Sequence, residues 1–454
     1  MSKFDNKKVM PRYYFLATMM TLLAVIVVAK AGYIMSAKRA YWMEVASRVK
    51  KDSVAVKAIR GNILSCNGEI MASSLPEYRL FIDFKAIHEA GNDSLWDAKV
   101  DSISEGLSRM FPNRSKAEYR RYLQKGKEKQ SRRWSIYDGR VDYNTYCEAK
   151  QLPMFRLRGY TGGFYCENFD SRQHPYGSLA ERTLGTLYAG KDEAKNGLEQ
   201  FYDSLLRGKN GIIHRRKVLN KYLDITDTPP TDGADIVTTI DVNMQDLAER
   251  AVIEQLNDKD VNGLVGVAIV MEVKTGDIKA IVNMERGADG KLYEMKNHAI
   301  SDLMEPGSVF KTVSLMTVLE DGMCDTSRVV ETGNGIYDMH GRPMRDHNWR
   351  HNGYGTITMA RSLEVSSNIG VSRIVEDYYG KNPEKFVEGV YRTGITTDFK
   401  LPLNGYAPAR VRMPKKNARG QWLNWSKTSL AWMSIGYETQ IPPISTLAFY
   451  NAIA

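Results

Sequence analysis

Residues 305–311 read Glu305, Pro306, Gly307, Ser308, Val309, Phe310, Lys311, and the reading of this stretch decides the rest. Proline and glycine break off a preceding helix, and Val309, Phe310, Val313, Met316 and Leu319 then recur at the spacing of one helical face. The pattern predicts a helix that starts at Ser308, with Lys311 one turn on and its amine within reach of the serine hydroxyl. A serine hydroxyl is a poor nucleophile until a base takes its proton, and lysine is a base only as the neutral amine. The reference lysine pKa is about 10.4, so Lys311 has to be buried or set beside positive charge. Backbone N–H groups at the helix start can add part of an oxyanion hole.

The spacing alone is a weak signal, since Ser47 and Lys50 share it. Flanked by Arg48 and Lys51, that copy reads as a solvated face just beyond an apolar run. The Pro-Gly break and the apolar helix behind it set Ser308 apart. A second short motif follows downstream. Residues 358–365 read as a helix, 369–378 as another, and Ser366, Ser367 and Asn368 lie at the turn between them. A hydroxyl and an amide two residues apart can enter one cleft, Ser366 as a proton relay and Asn368 as a group that orients a substrate amide. Read in isolation, such a triplet is a helix cap, and Ser65, Cys66 and Asn67 have the same spacing in a plain turn.

The chain has 454 residues, 43% hydrophobic and 10% aromatic, enough for a large core in two or three domains. Its formal charge of +10 is spread along the sequence, and no nucleic-acid motif accompanies it. Anionic lipid or wall polymer fits such a surface equally well. Cys66, Cys147, Cys166 and Cys324 have no metal-type spacing; Cys147 and Cys166 read either as a disulfide or, in preference, as free thiols. Asp346, His347 and His351 resemble a metal cluster, but Gly341, Pro343, Asn348, Asn352 and Gly353 mark a loop, and no third ligand follows at regular spacing.

A basic start with Lys3, Lys7, Lys8 and Arg12 precedes an apolar run over 13–29 that continues through Lys30 to Met35. Its length predicts an uncleaved membrane anchor rather than a signal peptide, although Ala29, Lys30 and Ala31 give a cleavage-like pattern. Lys38, Arg39, Arg48, Lys50 and Lys51 blur the orientation; a short basic tail inside is the usual arrangement. Residues 60–64, with the turn at Asn67 and Gly68, and residues 78–84 read as strands. The cations between 114 and 133 read as a solvated helix and loop, or else as a contact for wall polymer or a partner. A new domain is predicted near Asp232: a strand over 236–240, a helix capped by Asp241 with Met244, Leu247, Ala248, Val252 and Leu256 inward, and a hairpin of 265–273 and 277–284.

With the Ser308–Lys311 and Ser366–Asn368 segments in that order, the chain resembles the class B high-molecular-weight penicillin-binding proteins. The likeness includes Arg60-Gly61 with Asn67-Gly68, Asn196 to Glu199 before Phe201 and Tyr202, Thr238 to Asp241 with Gln245, and Ser434 to Tyr437 with Pro442 and Pro443. It implies an α+β multi-domain fold: a cytoplasmic tail and membrane anchor over 1–39, an elongated mixed α/β pedestal of dimerisation type over 40–231, and a transpeptidase domain over 232–454 with an antiparallel sheet flanked by helices. It also implies a single-pass inner-membrane D,D-transpeptidase with its bulk outside the cytoplasm. Ser308 would be the nucleophile towards D-alanyl-D-alanine stem peptides, Lys311 its base, Ser366 the proton relay and Asn368 a substrate-binding group. The implied partners are peptidoglycan stem peptides and glycan strands, β-lactams as covalent inhibitors, a polytopic membrane glycosyltransferase and other division proteins. No cofactor, metal or nucleic acid is implied.

The family's third motif, Lys-Thr-Gly or Lys-Ser-Gly, does not follow Asn368. Lys274, Thr275 and Gly276 spell it upstream at a hairpin tip, and Lys427, Thr428 and Ser429 lack the glycine. The expectation is therefore a truncated domain of weak or no activity. His298, where relatives often carry arginine, is a smaller departure. The competing expectations are a non-catalytic wall-synthesis scaffold, a lateral-wall transpeptidase, and a β-lactam receptor, the last disfavoured by a tail of only twelve residues before the span.

Overall fold

The computed structural model describes residues 6–49, 53–218 and 221–454. Lys3, Lys50 and Lys51, and with Lys50 the Ser47 copy of the serine–lysine pair, lie outside them. The chain forms two compact units, one of residues up to 59 together with 208–233, the other of 60–207 and 234–454.

In the first unit the apolar run is one helix, Asn6–Ser36. Its stretch from Met10 to Ser36 is 27 residues long, wholly exposed and apolar enough to cross a membrane. At 1.5 Å per residue it reaches about 40 Å, more than the ~30 Å hydrocarbon core. The hydroxyls of Thr18, Thr21 and Ser36 donate to carbonyls four residues back, so their polarity is satisfied within the helix. A second helix, Arg39–Val49, follows. Strand Ser53–Val56 pairs antiparallel with Gly211–Val218, which pairs with Lys221–Thr228.

In the second unit, strand Ile70–Ile82 pairs antiparallel with Phe164–Gln173 from Ser73 to Ile82, and its start pairs with Ile63–Leu64. The strand is longer than the 78–84 expected. It stops before Phe84 because Asp83 caps a helix there by accepting from the Ala86 N–H. The 60–64 strand shrinks to Ile63–Leu64, and that of 236–240 to Ile236–Val237; the two pair parallel. The basic stretch is the helix Lys116–Glu128, opened by a capping box of Ser115 and Glu118. Its cations meet Glu105, Asp101 and Asp97 across the surface. Inside, Glu199 is fully buried between Arg60 at 2.6 Å and Arg172 at 2.6 Å. Two of the sequence motifs, Arg60-Gly61 and Asn196 to Glu199, thus meet in one ion-pair network.

The hairpin is present as Val265–Met271 and Ile278–Arg286, with Leu292–Tyr293 as third strand. Asp241 caps the helix Val242–Asn257. Its inward face differs from the apolar pattern: Met244 and Leu247 are exposed, while Val242, Gln245, Glu249 and Leu256 are buried. Gln245 turns the helix, because its amide exchanges two hydrogen bonds with the Ile281 backbone. The largest core gathers Phe310, Val313 and Val318 with Ile369, Val371, Ile374, Val375, Phe386 and Met433. Mixed α and β elements with an antiparallel sheet and flanking helices are the architecture the resemblance implied.

Candidate active site

Ser308 lies in a 3₁₀ turn, Gly307–Phe310, that runs directly into the helix Lys311–Glu320. The turn is held from both sides. Gly307 has φ of +62° and its N–H donates to the Gly436 carbonyl at 3.2 Å. Gly436, at φ +88°, lies so close that a Cβ on it would fall 2.0 Å from the Gly307 oxygen. The Glu438 N–H donates to the Glu305 carboxylate at 2.8 Å, and Ser314 Oγ donates to the Ser434 carbonyl at 2.7 Å. From the other side Tyr450 donates to the Val309 carbonyl at 2.8 Å. The Ser434 to Tyr437 motif is therefore the clasp on the serine turn.

Ser308 is exposed, and Lys311 is 1% exposed. The helix does not bury the predicted stripe. Phe310 and Val313 are inside, but Val309, Met316 and Leu319 are exposed, their places in the core taken by Lys311, Ser314, Leu315, Thr317 and Val318. The reason is that the small hydroxyls bond to backbone, as Thr317 does to Val313, and pack as apolar residues would. The Lys311 amine donates to the Ser366 carbonyl at 2.6 Å and to Ser366 Oγ at 3.0 Å. Burial lowers its pKa to about 8, partly opposed by the negative charge of Asp346.

Ser366 adopts φ of +53°, in the left-handed region, and its carbonyl accepts from Lys311. Ser367, not Ser366, is the cap of the helix Asn368–Tyr379, accepting from the Gly370 N–H. Asn368 donates to the Arg345 carbonyl at 2.8 Å and is thereby fixed beside the turn. The structure thus brings Lys311 and Ser366 into contact, with Ser308 a turn before the lysine and Asn368 two residues beyond the second serine.

Sequence reasoning weighed Asp346 only as a metal ligand with His347 and His351, and missed its place beside the Ser366 turn. Asp346 is 1% exposed and accepts from Ser367 Oγ at 2.8 Å and from the Ile369 N–H at 3.0 Å. A lone acid among Arg342, Arg345, His347 and Arg350 was the available signal. His347 is exposed and bonds Tyr354 instead. No group of three or more metal-type side chains occurs among the described residues. All four cysteines are free thiols. Lys274, Thr275 and Gly276 lie at the tip of the hairpin, in a groove with Phe399 and Leu401 that does not include Ser308. Thr428 precedes the helix Ser429–Ser434, in which Ser429 is buried. His298 is buried between Asp302 at 2.6 Å and Glu285 at 3.2 Å.

A family model for the penicillin-binding protein transpeptidase domain matches residues 266–454, and one for the penicillin-binding protein dimerisation domain matches residues 55–238. The peptidoglycan D,D-transpeptidase FtsI of Escherichia coli strain K12 is 23% identical over 408 residues, covering 88% of this chain and 63% of that protein. The probable peptidoglycan D,D-transpeptidase PenA of Neisseria gonorrhoeae is 25% identical, covering 97% of this chain and 71% of its own length. In fold, penicillin binding protein 2X from Streptococcus thermophilus superposes with a TM-score of 0.65 at 19% identity, over 88% of this chain and 59% of that one. PBP2 of Helicobacter pylori, solved in complex with MreC, gives 0.62 at 19% identity, over 88% and 76%. A transpeptidase module preceded by a dimerisation module defines a penicillin-binding protein architecture. The chain belongs to the class B penicillin-binding proteins. It spans 63% of the length of the Escherichia coli relative.

Proposed function

We propose that this protein is a membrane-anchored peptidoglycan D,D-transpeptidase that works through a serine acyl-enzyme in septal wall synthesis. One observation carries the reading: the buried Lys311 amine, its pKa near 8, bonded to Ser366 one helical turn from an exposed Ser308. Ser308 Oγ attacks the carbonyl between the two D-alanines of a stem peptide while neutral Lys311 takes the hydroxyl proton. The oxyanion that forms is stabilised by backbone N–H groups of the serine turn. Ser366 passes the proton from Lys311 to the departing nitrogen, the C–N bond breaks, and D-alanine leaves. An amine of a neighbouring stem peptide then attacks the ester, giving the cross-link and freeing Ser308. Asn368, its amide nitrogen engaged by Arg345, keeps its oxygen for a substrate N–H.

The proposed organisation is an anchor over 1–39, a pedestal over 40–231 and a transpeptidase domain over 232–454, the latter two outside the cytoplasm of a single-pass inner-membrane protein. Septal work is favoured by the FtsI relative, and a polytopic membrane glycosyltransferase is the partner it calls for. Among the described residues no Lys-Thr-Gly or Lys-Ser-Gly strand lines Ser308, and turnover is expected to be slow. The test is incubation with a synthetic stem pentapeptide ending in D-alanyl-D-alanine. Release of D-alanine, lost in Ser308→Ala, supports the reading; no release over hours favours a non-catalytic scaffold.

A further inference from the structure

The Ser366 turn is held in a conformation that its sequence does not favour. A side chain with a Cβ is disfavoured in the left-handed region, and Ser366 sits there at φ +53° without being glycine. The residues after it are gripped from a loop twenty residues earlier. Asp346 accepts from the Ser367 hydroxyl with one oxygen and from the Ile369 N–H with the other, bracketing Asn368. Asn368 reaches back to the Arg345 carbonyl. The loop and the turn are therefore clasped in both directions, and the carboxylate at the clasp is 1% exposed.

We propose that Asp346 is a positioning residue of the site: its buried carboxylate fixes the turn on which Ser366 receives the Lys311 amine, and its charge acts on that amine. The proposal rests on the transpeptidase reading above. Burial favours neutral Lys311, and the negative charge of Asp346 opposes it. Charged groups of the adjoining segments are engaged elsewhere. Glu305 accepts from the Glu438 backbone, Glu438 is ion-paired to Arg412, and Arg345 and His347 are exposed with their side chains against Trp349 and Tyr354. Two effects thus meet in one side chain. Its hydrogen bonds hold the relay in place, and its charge opposes the effect of burial on Lys311, favouring the protonated amine that forms when the lysine takes the proton from Ser308.

Asp346→Asn separates the two. The amide keeps the shape and can still accept from Ile369 and meet Ser367, but it carries no charge. The full chain is acylated with a fluorescent penicillin between pH 5.5 and 10, and the rate of labelling at Ser308 is followed. Removing a negative charge makes Lys311 neutral at lower pH, so the acid limb of the profile should move down by about one unit. Asp346→Ala, which loses both hydrogen bonds as well, should lose rate at every pH. An Asn variant with its limb at the wild-type position, whatever its rate, would mean that Asp346 serves structure alone and would overturn the inference. Competitive acetylation of Lys311, read by peptide mass spectrometry over the same range, measures the same titration without the reaction. An unlabelled wild type would count against the transpeptidase reading, whereas an unmoved Lys311 titration counts against this inference alone.

Discussion

Gly436 offers the sharpest perturbation of the serine turn, because a single methyl group enters the tightest backbone contact around it. A Cβ at this position meets the Gly307 oxygen at 2.0 Å and the Gly307 carbonyl carbon and nitrogen at 2.7 Å. No side chain can swing away, since all three atoms are backbone. Alanine at φ +88° adds the left-handed strain of about 1–2 kcal/mol, and relieving the collision requires the two segments to part by about 1 Å. Gly307 is bonded to Ser308, so the displacement passes directly to the proposed nucleophile. A misplacement of that size can lower a rate ~100-fold. The prediction for Gly436→Ala is a ~100-fold slower acylation by fluorescent penicillin at pH 8, with the far-ultraviolet circular dichroism of the folded protein retained. Gly276→Ala is the control: its φ is +76°, but nothing lies within 4 Å of the added carbon. It carries the strain without the collision and should label at the wild-type rate. Labelling of Gly436→Ala within threefold of wild type would refute the argument that the 434–437 segment clasps the serine.

Three further outcomes follow from the same geometry. With Lys311 titrating near 8, acylation should rise about tenfold per pH unit from pH 6 and level off above pH 8; a profile flat over that range would remove Lys311 as the base. Arg60→Ala leaves Glu199 fully buried with Arg172 alone, and should destabilise the protein by about 3 kcal/mol, read as a lowered urea midpoint. Glu294 is desolvated and its pKa is raised to about 7, although the Arg182 and Asn283 N–H groups donate to it. The native state therefore binds this proton more tightly than the unfolded chain, and stability should fall as pH climbs from about 4.5 to 7. Glu294→Gln should flatten that fall in thermal scans.

The parts of this molecule that were legible in the sequence are those fixed by neighbours along the chain. The break at Pro306 and Gly307, the cap at Asp241, the hairpin around Lys274 to Gly276 and the turn after Ser366 are all local, and each is found where the pattern put it. Inward faces were less legible. Met244, Leu247, Met316 and Leu319 fit a helical stripe but face outward, because Gln245 and Lys311 are drawn inward by partners far along the chain, Ile281 and Ser366. The serine–lysine spacing could be read, yet the direction of the amine could not: it turns to the Ser366 carbonyl and hydroxyl. Asp346 was hidden for the same reason. Its partner Ser367 lies more than twenty positions later, and the lone acid in a cationic loop marks Asp346 without naming that partner. The meeting of Arg60 with Glu199 is likewise a long-range event, with each motif visible but not their pairing.

The most direct test of the central claim is the mass of the intact protein after hours with a penicillin, followed by peptide mapping. The account predicts a gain of one acyl group, located on Ser308 and absent from Ser308→Ala. A protein that gains no mass, or gains it equally in the alanine variant, would contradict it.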